Sequence, residues 1–376
     1  MQIVVNARHL RKGKLDGIGW FSFQILKRIT RNHPEVHFIF LFDRNYSEEF
    51  VFSENITPLI VSPAARHPVL FYAWNHISVS SLLKRINPDL YISPDGMIPL
   101  HAPCKTISVI HDINFKHNPK DLPLLTSKFY NHFYPKYAQK ADHVITVSNY
   151  SKSDIAQSYT VKQSKISVVY NAINDTFFSI PEEQKQLVRN SWTKACPYFI
   201  YVGSIHTRKN IVRLLQSFEL FKTKNSNEIK LVLVGSVFWG KNEINRQLKK
   251  MRFSADVIFT GRLSDQKLNE LMNAALALTY IPYFEGFGIP LLEAMAVDVP
   301  IICSTTTSLP EVVSDAAILV DPFNPEEVAV AMEKIVLDDS LRSELIEKGR
   351  RRRLQFSWDK SAEDFWKCIQ HINNCQ

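Results

Sequence analysis

A glutamate, two glycines and a second glutamate stand close together in the segment YFEGFGIPLLEAM, as Glu285, Gly286, Gly288 and Glu293, with Phe287 between the glycines. The glycines remove side chains where a ligand must approach backbone, and Pro290 suits the first turn of a helix whose free N–H groups then face the loop. Such a turn seats an anion. A second set of charges lies upstream in GSIHTRKN, where Arg208 and Lys209 open a helix shortly after the strand-like run YFIYV and Gly203. Cations are unfavourable at a helix N-terminus unless an anion joins them, so this pair also points to a bound anion. In the first half, SVIHDINF puts His111 and Asp112 at the end of a strand-like run, the edge at which open α/β sheets bind ligands.

The segment GIGWFS, from Gly17 to Ser22, comes close to the G-x-G-x-x-G fingerprint of dinucleotide-binding proteins, and Asp43 closes the next apolar run. The spacing argues against that reading. In the fingerprint the first glycine follows the strand directly, whereas here residues 8–16 intervene, and the third glycine is Ser22. Gly17 and Gly19 still open a helix, WFSFQILKRIT, and their loop can offer backbone N–H groups to an anion. Tight helix packing alone would also require them.

The elements that must position these residues alternate along the whole chain. QIVVN, VHFIFLF, PLIV, DLYIS, TISVI, HVITV and KISVVY read as strands in the first half. YFIYVG, KLVLVG, VIFTG, ALALTY, PIICS and AILV repeat the pattern in the second, separated by amphipathic stretches such as NIVRLLQSFELFK. Alternation of this kind predicts α/β domains built on doubly wound parallel sheets. The expected organisation is a first domain over 1–180, a second over 181–356, and a closing helix over 357–376 that packs back toward the first.

Composition narrows the class. The chain has 376 residues, 45% of them apolar and 22% charged, which suits two folded cores rather than a disordered segment. Its longest apolar runs fall short of the ~20 residues that span a bilayer. The N-terminus enters a strand and then turns basic, the reverse of a signal peptide. Five scattered cysteines, with no C-x-x-C pair, suggest neither a disulfide framework nor a thiolate zinc site, and a reducing cytoplasm is the expected home. Of the net charge of +8, residues 1–190 carry 22 Lys and Arg against 15 Asp and Glu. That basic half could face an anionic lipid surface. The run of four arginines at 350–353 reads as a helix end, where cations offset the dipole, rather than a nucleic-acid patch.

The block from Tyr283 to Met332 resembles the signature of family 4 retaining glycosyltransferases, which have the two-Rossmann GT-B fold with an interdomain cleft. The resemblance extends through GIGWFSFQIL, VIHDINF, VITVSNYSKSDI, VVYNAIN, YVGSIHTRKNIVRLLQSF and FSWDKSAEDF, covering nearly the whole chain. It implies transfer of a hexose, with GDP-mannose the preferred donor, to a saccharide or lipid-linked acceptor in polysaccharide biosynthesis. Anomeric configuration would be retained, the nucleotide sugar would serve as co-substrate, and neither cofactor nor metal would be needed. A cytoplasmic enzyme, peripheral at the inner face of the membrane, is the expected setting. Rival readings are a nucleotide-sugar epimerase of the same fold and a sugar-binding pseudoenzyme.

By this resemblance Lys209, with Arg208 beside it, contacts the donor phosphates. Glu293, near one turn into its helix, receives the ribose, Glu285 reaches the sugar, and Gly17, Gly19, Gly286, Phe287 and Gly288 complete the donor site. His111 is implied as a sugar or acceptor contact and Asp112 as a partner that orients it or the loop backbone. Catalysis would rest on Glu285, His111 and Lys209. Ser148 and Asn171 also match family positions, although capping accounts for them almost as well. Two departures stand out. Many relatives have arginine where this chain has Ser204, and glycine where it has Asp298. No Asp-x-Asp element occupies a suitable loop, and Asp338-Asp339 fits a solvated turn.

Overall fold

A computed structural model describes residues 1–225, 228–236 and 241–374. Cys375 lies outside them; the other four cysteines are free thiols. The chain forms two units, one made of Met1–Asn171 with Ser357–Gln376, the other of Ala172–Phe356.

The first unit holds seven parallel strands, Gln2–Asn6 (β1), His37–Phe42 (β2), Ile56–Ile60 (β3), Leu90–Ser93 (β4), Lys105–Val109 (β5), His143–Thr146 (β6) and Ile166–Val168 (β7). Their order is β3-β2-β1-β4-β5-β6-β7. The second unit holds six, Tyr198–Val202 (β8), Lys230–Val234 (β9), Val257–Gly261 (β10), Ala277–Tyr280 (β11), Ile301–Ser304 (β12) and Ile318–Val320 (β13), in the order β10-β9-β8-β11-β12-β13. All pairings are parallel. Central strands such as β8 are buried along their whole length, as expected where helices cover both faces, and this is why they are continuous apolar runs without alternation. In each sheet the order reverses at its first strand, and the crevice beyond that switch point is where such folds take ligands.

The first unit ends at Asn171 rather than at the expected residue 180. Phe177 and Ile180 are buried, and the backbone N–H groups of Phe178 and Ile180 donate to the amide oxygens of Asn269 and Asn273 at 3.1 and 2.9 Å, which ties this stretch to the second unit. The helix Trp358–Asn374 belongs to the first unit and packs on the helix Gly17–Asn32. Phe21 meets Trp358 and Phe365, His33 stacks on Trp366 at 3.5 Å, and Arg28 pairs with Asp359 at 2.6 Å. Asp338 caps the helix Asp339–Arg353 by accepting from the N–H of Leu341. At that helix's basic end Arg352 donates to the carbonyls of Glu311 and Val312. Among the described residues no helix is long and apolar enough to cross a membrane.

Candidate active site

In the second unit, the loop after β8 and the loop after β11 meet beyond the switch point. Arg208 and Lys209 lie in a short 3-10 turn, Thr207–Lys209, which Asn210 ends in the left-handed conformation (φ 62°). Asn210 anchors the turn by donating from Nδ2 to the carbonyls of Ile281 and Pro322, and the N–H of Tyr283 donates to the carbonyl of Arg208. The two loops are thereby one structure.

Glu285 is its centre. Its Oε2 accepts from Lys209 Nζ, from Arg208 Nη1 at 2.7 Å and from the Tyr280 hydroxyl at 3.1 Å, while Lys209 also donates to that hydroxyl. Arg208 reaches the carbonyl of Phe284 as well, at 3.1 Å. Burial pushes the Glu285 carboxyl up, but the charges of Arg208 and Lys209 outweigh it and bring it down to about 2. The backbone of Glu285 is clamped too: its N–H donates to Thr307 Oγ1 at 3.2 Å and its carbonyl accepts from Ser308 Oγ at 2.8 Å.

Gly288 follows with φ 100° and caps the helix Ile289–Ala296, with Pro290 in its first turn. Its φ strains any other residue, and a Cβ there would lie 2.7 Å from Leu309 Cδ2, which would have to move. Phe287 departs from the expectation of a ligand-facing side chain. Its ring is 3% exposed and packs edge-on against Phe356 at 5.7 Å, so only its backbone is available to a ligand. Gly286 is buried beside it. Glu293 is half-buried and forms no hydrogen bond or ion pair among the described residues. Burial, with the charge of Asp265, pushes its carboxyl up to about 8.

The first unit presents its own group at the carboxyl ends of β1, β4 and β5. His111 Nε2 donates to the carbonyl of Pro94 at 3.0 Å and the ring meets Phe21 edge-on; burial pushes the imidazole down, toward the neutral form with Nδ1 as acceptor. Asp112 accepts from the N–H of Asn114 at 3.0 Å, so it holds the loop backbone. Gly19 is needed for close approach, since a Cβ would meet the carbonyl of His9 at 2.9 Å, whereas one on Gly17 would meet nothing. The N–H of Gly19 is already taken by Asp16 Oδ1 at 2.8 Å. Ser148 caps the helix Asn149–Tyr159 through the N–H of Ser151. Asn171 is buried with Oδ1 unpaired among the described residues.

Sequence reasoning missed a buried ion pair at this edge. Asp95, just after β4, accepts from Asn6 Nδ2, Ser93 Oγ, the N–H of Met97 and Arg8 Nε, the last at 2.5 Å; His9 Nε2 lies 3.3 Å away. The available signal was an arginine and an aspartate each directly beyond a buried strand. Tyr280 and the STTTS run at 304–308 were missed in the second unit, where a tyrosine ending a central strand was the cue.

Residues 182–352 match the model for glycosyl transferases group 1 and residues 15–177 that for glycosyltransferase family 4. The chain belongs to the family 4 glycosyltransferases. Among its relatives, the O-antigen chain mannosyltransferase B of Escherichia coli is 26% identical over 93% of this chain and 94% of its own length. The O-antigen chain mannosyltransferase RfbU of Salmonella typhimurium is 29% identical over 77% and 78%. This glycosyltransferase has the GT-B fold of Anabaena HepE, solved in complex with UDP-glucose, at a TM-score of 0.77 and 15% identity over 99% of this chain and all of that one.

Proposed function

We propose that the protein transfers mannose from GDP-mannose, with retained anomeric configuration and without a metal, to a saccharide or lipid-linked saccharide during polysaccharide synthesis. The observation that carries the reading is the Arg208–Lys209–Glu285 cluster beside Gly288 and the start of the helix Ile289–Ala296. Two fixed cations and a helix N-terminus supply the charge that a departing diphosphate requires. Glu293, unpaired in its helix, is the acceptor for ribose hydroxyls. The similarity to O-antigen mannosyltransferases supports mannose and a glycan acceptor.

In this reading the acceptor hydroxyl oxygen bonds to the anomeric carbon as the bond to the diphosphate breaks. The hydroxyl proton passes to the leaving phosphate, and the free nucleoside diphosphate departs. Arg208 and Lys209 stabilise the negative charge on the phosphate, and Glu285 faces the positive charge that develops on the sugar. His111, neutral in its buried setting, contacts acceptor or sugar through Nδ1. We place the enzyme in the cytoplasm, peripheral at the inner membrane face.

A thermal-shift panel of GDP, UDP, dTDP and ADP tests the donor site. Ligand at about 100 times its dissociation constant adds roughly 2.7 kcal/mol of stability, and GDP is expected to stand out. If no nucleotide shifts the transition at millimolar concentration, the reading fails.

A further inference from the structure

Residues 304–308, from the end of β12 into the turn that follows, all carry hydroxyls, and four of them face the segment that bears Glu285. Ser304 and Thr306 reach the carbonyl of Pro282 at 2.7 and 3.3 Å, and Ser308 donates to the carbonyl of Glu285 at 2.8 Å. Thr307 acts in the opposite sense. Its hydroxyl proton goes to the carbonyl of Thr306 at 2.8 Å, which leaves a lone pair to accept from the N–H of Glu285 at 3.2 Å. The backbone of Thr307 is left-handed, φ 58°, where a β-branched residue is strained. Thr160 shares this conformation, but it ends the helix Asn149–Tyr159, as left-handed residues commonly do. Thr307 instead lies ahead of a helix, Leu309–Val313.

The kink makes two side chains converge. Consecutive residues of an extended chain point to opposite sides, whereas Thr307 and Ser308 reach the N–H and the carbonyl of the same residue. Glycine would adopt this backbone without strain but would bring no hydroxyl. The Glu285 carboxylate is held from the other side by Arg208, Lys209 and Tyr280. On the proposed reading, donor phosphate draws the two cations to itself, and the carboxylate then keeps its place at the sugar through Tyr280 and its own main chain. We infer that Thr307 is a positioning residue for transfer, its strained backbone and oriented hydroxyl fixing the peptide of Glu285 while the cations turn to the donor. Resting on that reading, this role begins once the donor is bound, so it governs kcat rather than nucleotide affinity.

Two measurements on the full chain test it: GDP release from GDP-mannose with water as the acceptor, and amide hydrogen exchange at Glu285 in saturating GDP, which needs no turnover. Thr307→Val keeps the branched shape and removes the hydroxyl. Its kcat is expected to fall about ten- to a hundredfold, with GDP affinity within about twofold of wild type. Exchange at Glu285 in the GDP complex should rise by about tenfold or more. Thr307→Gly should lose kcat to the same degree yet melt above Thr307→Val, because its backbone is unstrained. Thr307→Ser, which keeps the hydroxyl, should restore both readouts to within about threefold of wild type. Ser314→Gly relieves a similar positive φ, 52°, beyond the far end of the helix Leu309–Val313, and should change neither. Wild-type kcat and exchange in the valine and glycine variants overturn the assignment. So does a loss of GDP affinity equal to the loss of kcat, or a serine variant no better than valine. If wild type binds no nucleotide of the panel, the donor reading fails and this role with it; wild-type binding with unaltered variants overturns this role alone.

Discussion

Lys209 and Glu285 form a direct ion pair, and Arg208 closes on the same carboxylate oxygen at 2.7 Å. One carboxylate thus faces two cations, which leaves the cluster with one uncompensated positive charge. A diphosphate arriving at this site competes with Glu285, and only a donor carrying a sugar gives Glu285 a new positive partner as the reaction proceeds.

Glu285→Gln keeps the size and removes the charge. Its kcat is expected to fall ten- to a thousandfold, about 1.4 to 4 kcal/mol, because an interaction peculiar to the transition state is lost. Free nucleoside diphosphate should bind more tightly than to wild type, since Lys209 and Arg208 no longer have a competing partner. Steady-state kinetics with calorimetric binding decides it; weaker nucleotide binding would place Glu285 on the phosphate side as a needed ligand.

Glu293 gives a pH signature of opposite sign to that of an ordinary paired carboxylate. Its folded value of about 8 lies above the usual one, so the unfolded chain releases this proton near pH 4.5 while the folded chain keeps it. Its contribution to stability is greatest below pH 4.5 and is lost as pH rises from there to about 8. Melting of wild type and Glu293→Gln from pH 5 to 8 should show the variant gaining relative stability with pH. If Glu293 holds the ribose as proposed, the same substitution should chiefly raise the donor KM, because such contacts are similar in ground and transition states. A constant difference in melting temperature across the range would refute the elevated carboxyl.

Asp95 and Arg8 are both more than nine-tenths buried. Removing one partner strands a charge, so Asp95→Ala is expected to destabilise the first unit by about 3–5 kcal/mol. Denaturant unfolding checks it, and a loss under 1 kcal/mol would show that water reaches Arg8 freely.

Under the proposed reading, in which Arg208, Lys209 and the helix start after Gly288 supply the positive charge at the diphosphate, transfer should persist in excess chelator. Activity lost in chelator and restored by magnesium or manganese would contradict this.

The central strands were legible because burial on both faces demands uninterrupted β-branched and aromatic runs; the edge strands β3 and β10, half-buried or exposed, show only shorter runs of the same kind. The Glu285–Glu293 loop was legible for a related reason: the positive φ of Gly288 is a local demand for glycine that shows in the sequence itself. What escaped depends on distant partners. Arg8 and Asp95 are 87 residues apart in sequence and no local pattern joins them. Phe287 reads as a ligand contact from its neighbours in sequence, whereas its ring packs edge-on against Phe356, 69 residues on. Asp298 adopts the left-handed conformation (φ 59°) for which glycine is better suited, and the compensation is remote: Arg350 grips both carboxylate oxygens, at 2.8 and 3.0 Å.

The helix Trp358–Asn374, seated against Gly17–Asn32, also governs the order in which the protein can mature. Its partners Phe21 and His33 leave the ribosome early and must wait for almost the entire polypeptide to be synthesised before their cover exists. The second unit, continuous from 172 to 356, is complete before that helix is made and can fold sooner, synthesis running at about 5–20 residues per second. For that interval the first unit carries an uncovered aromatic face, and a chain cut at 356 would carry it permanently.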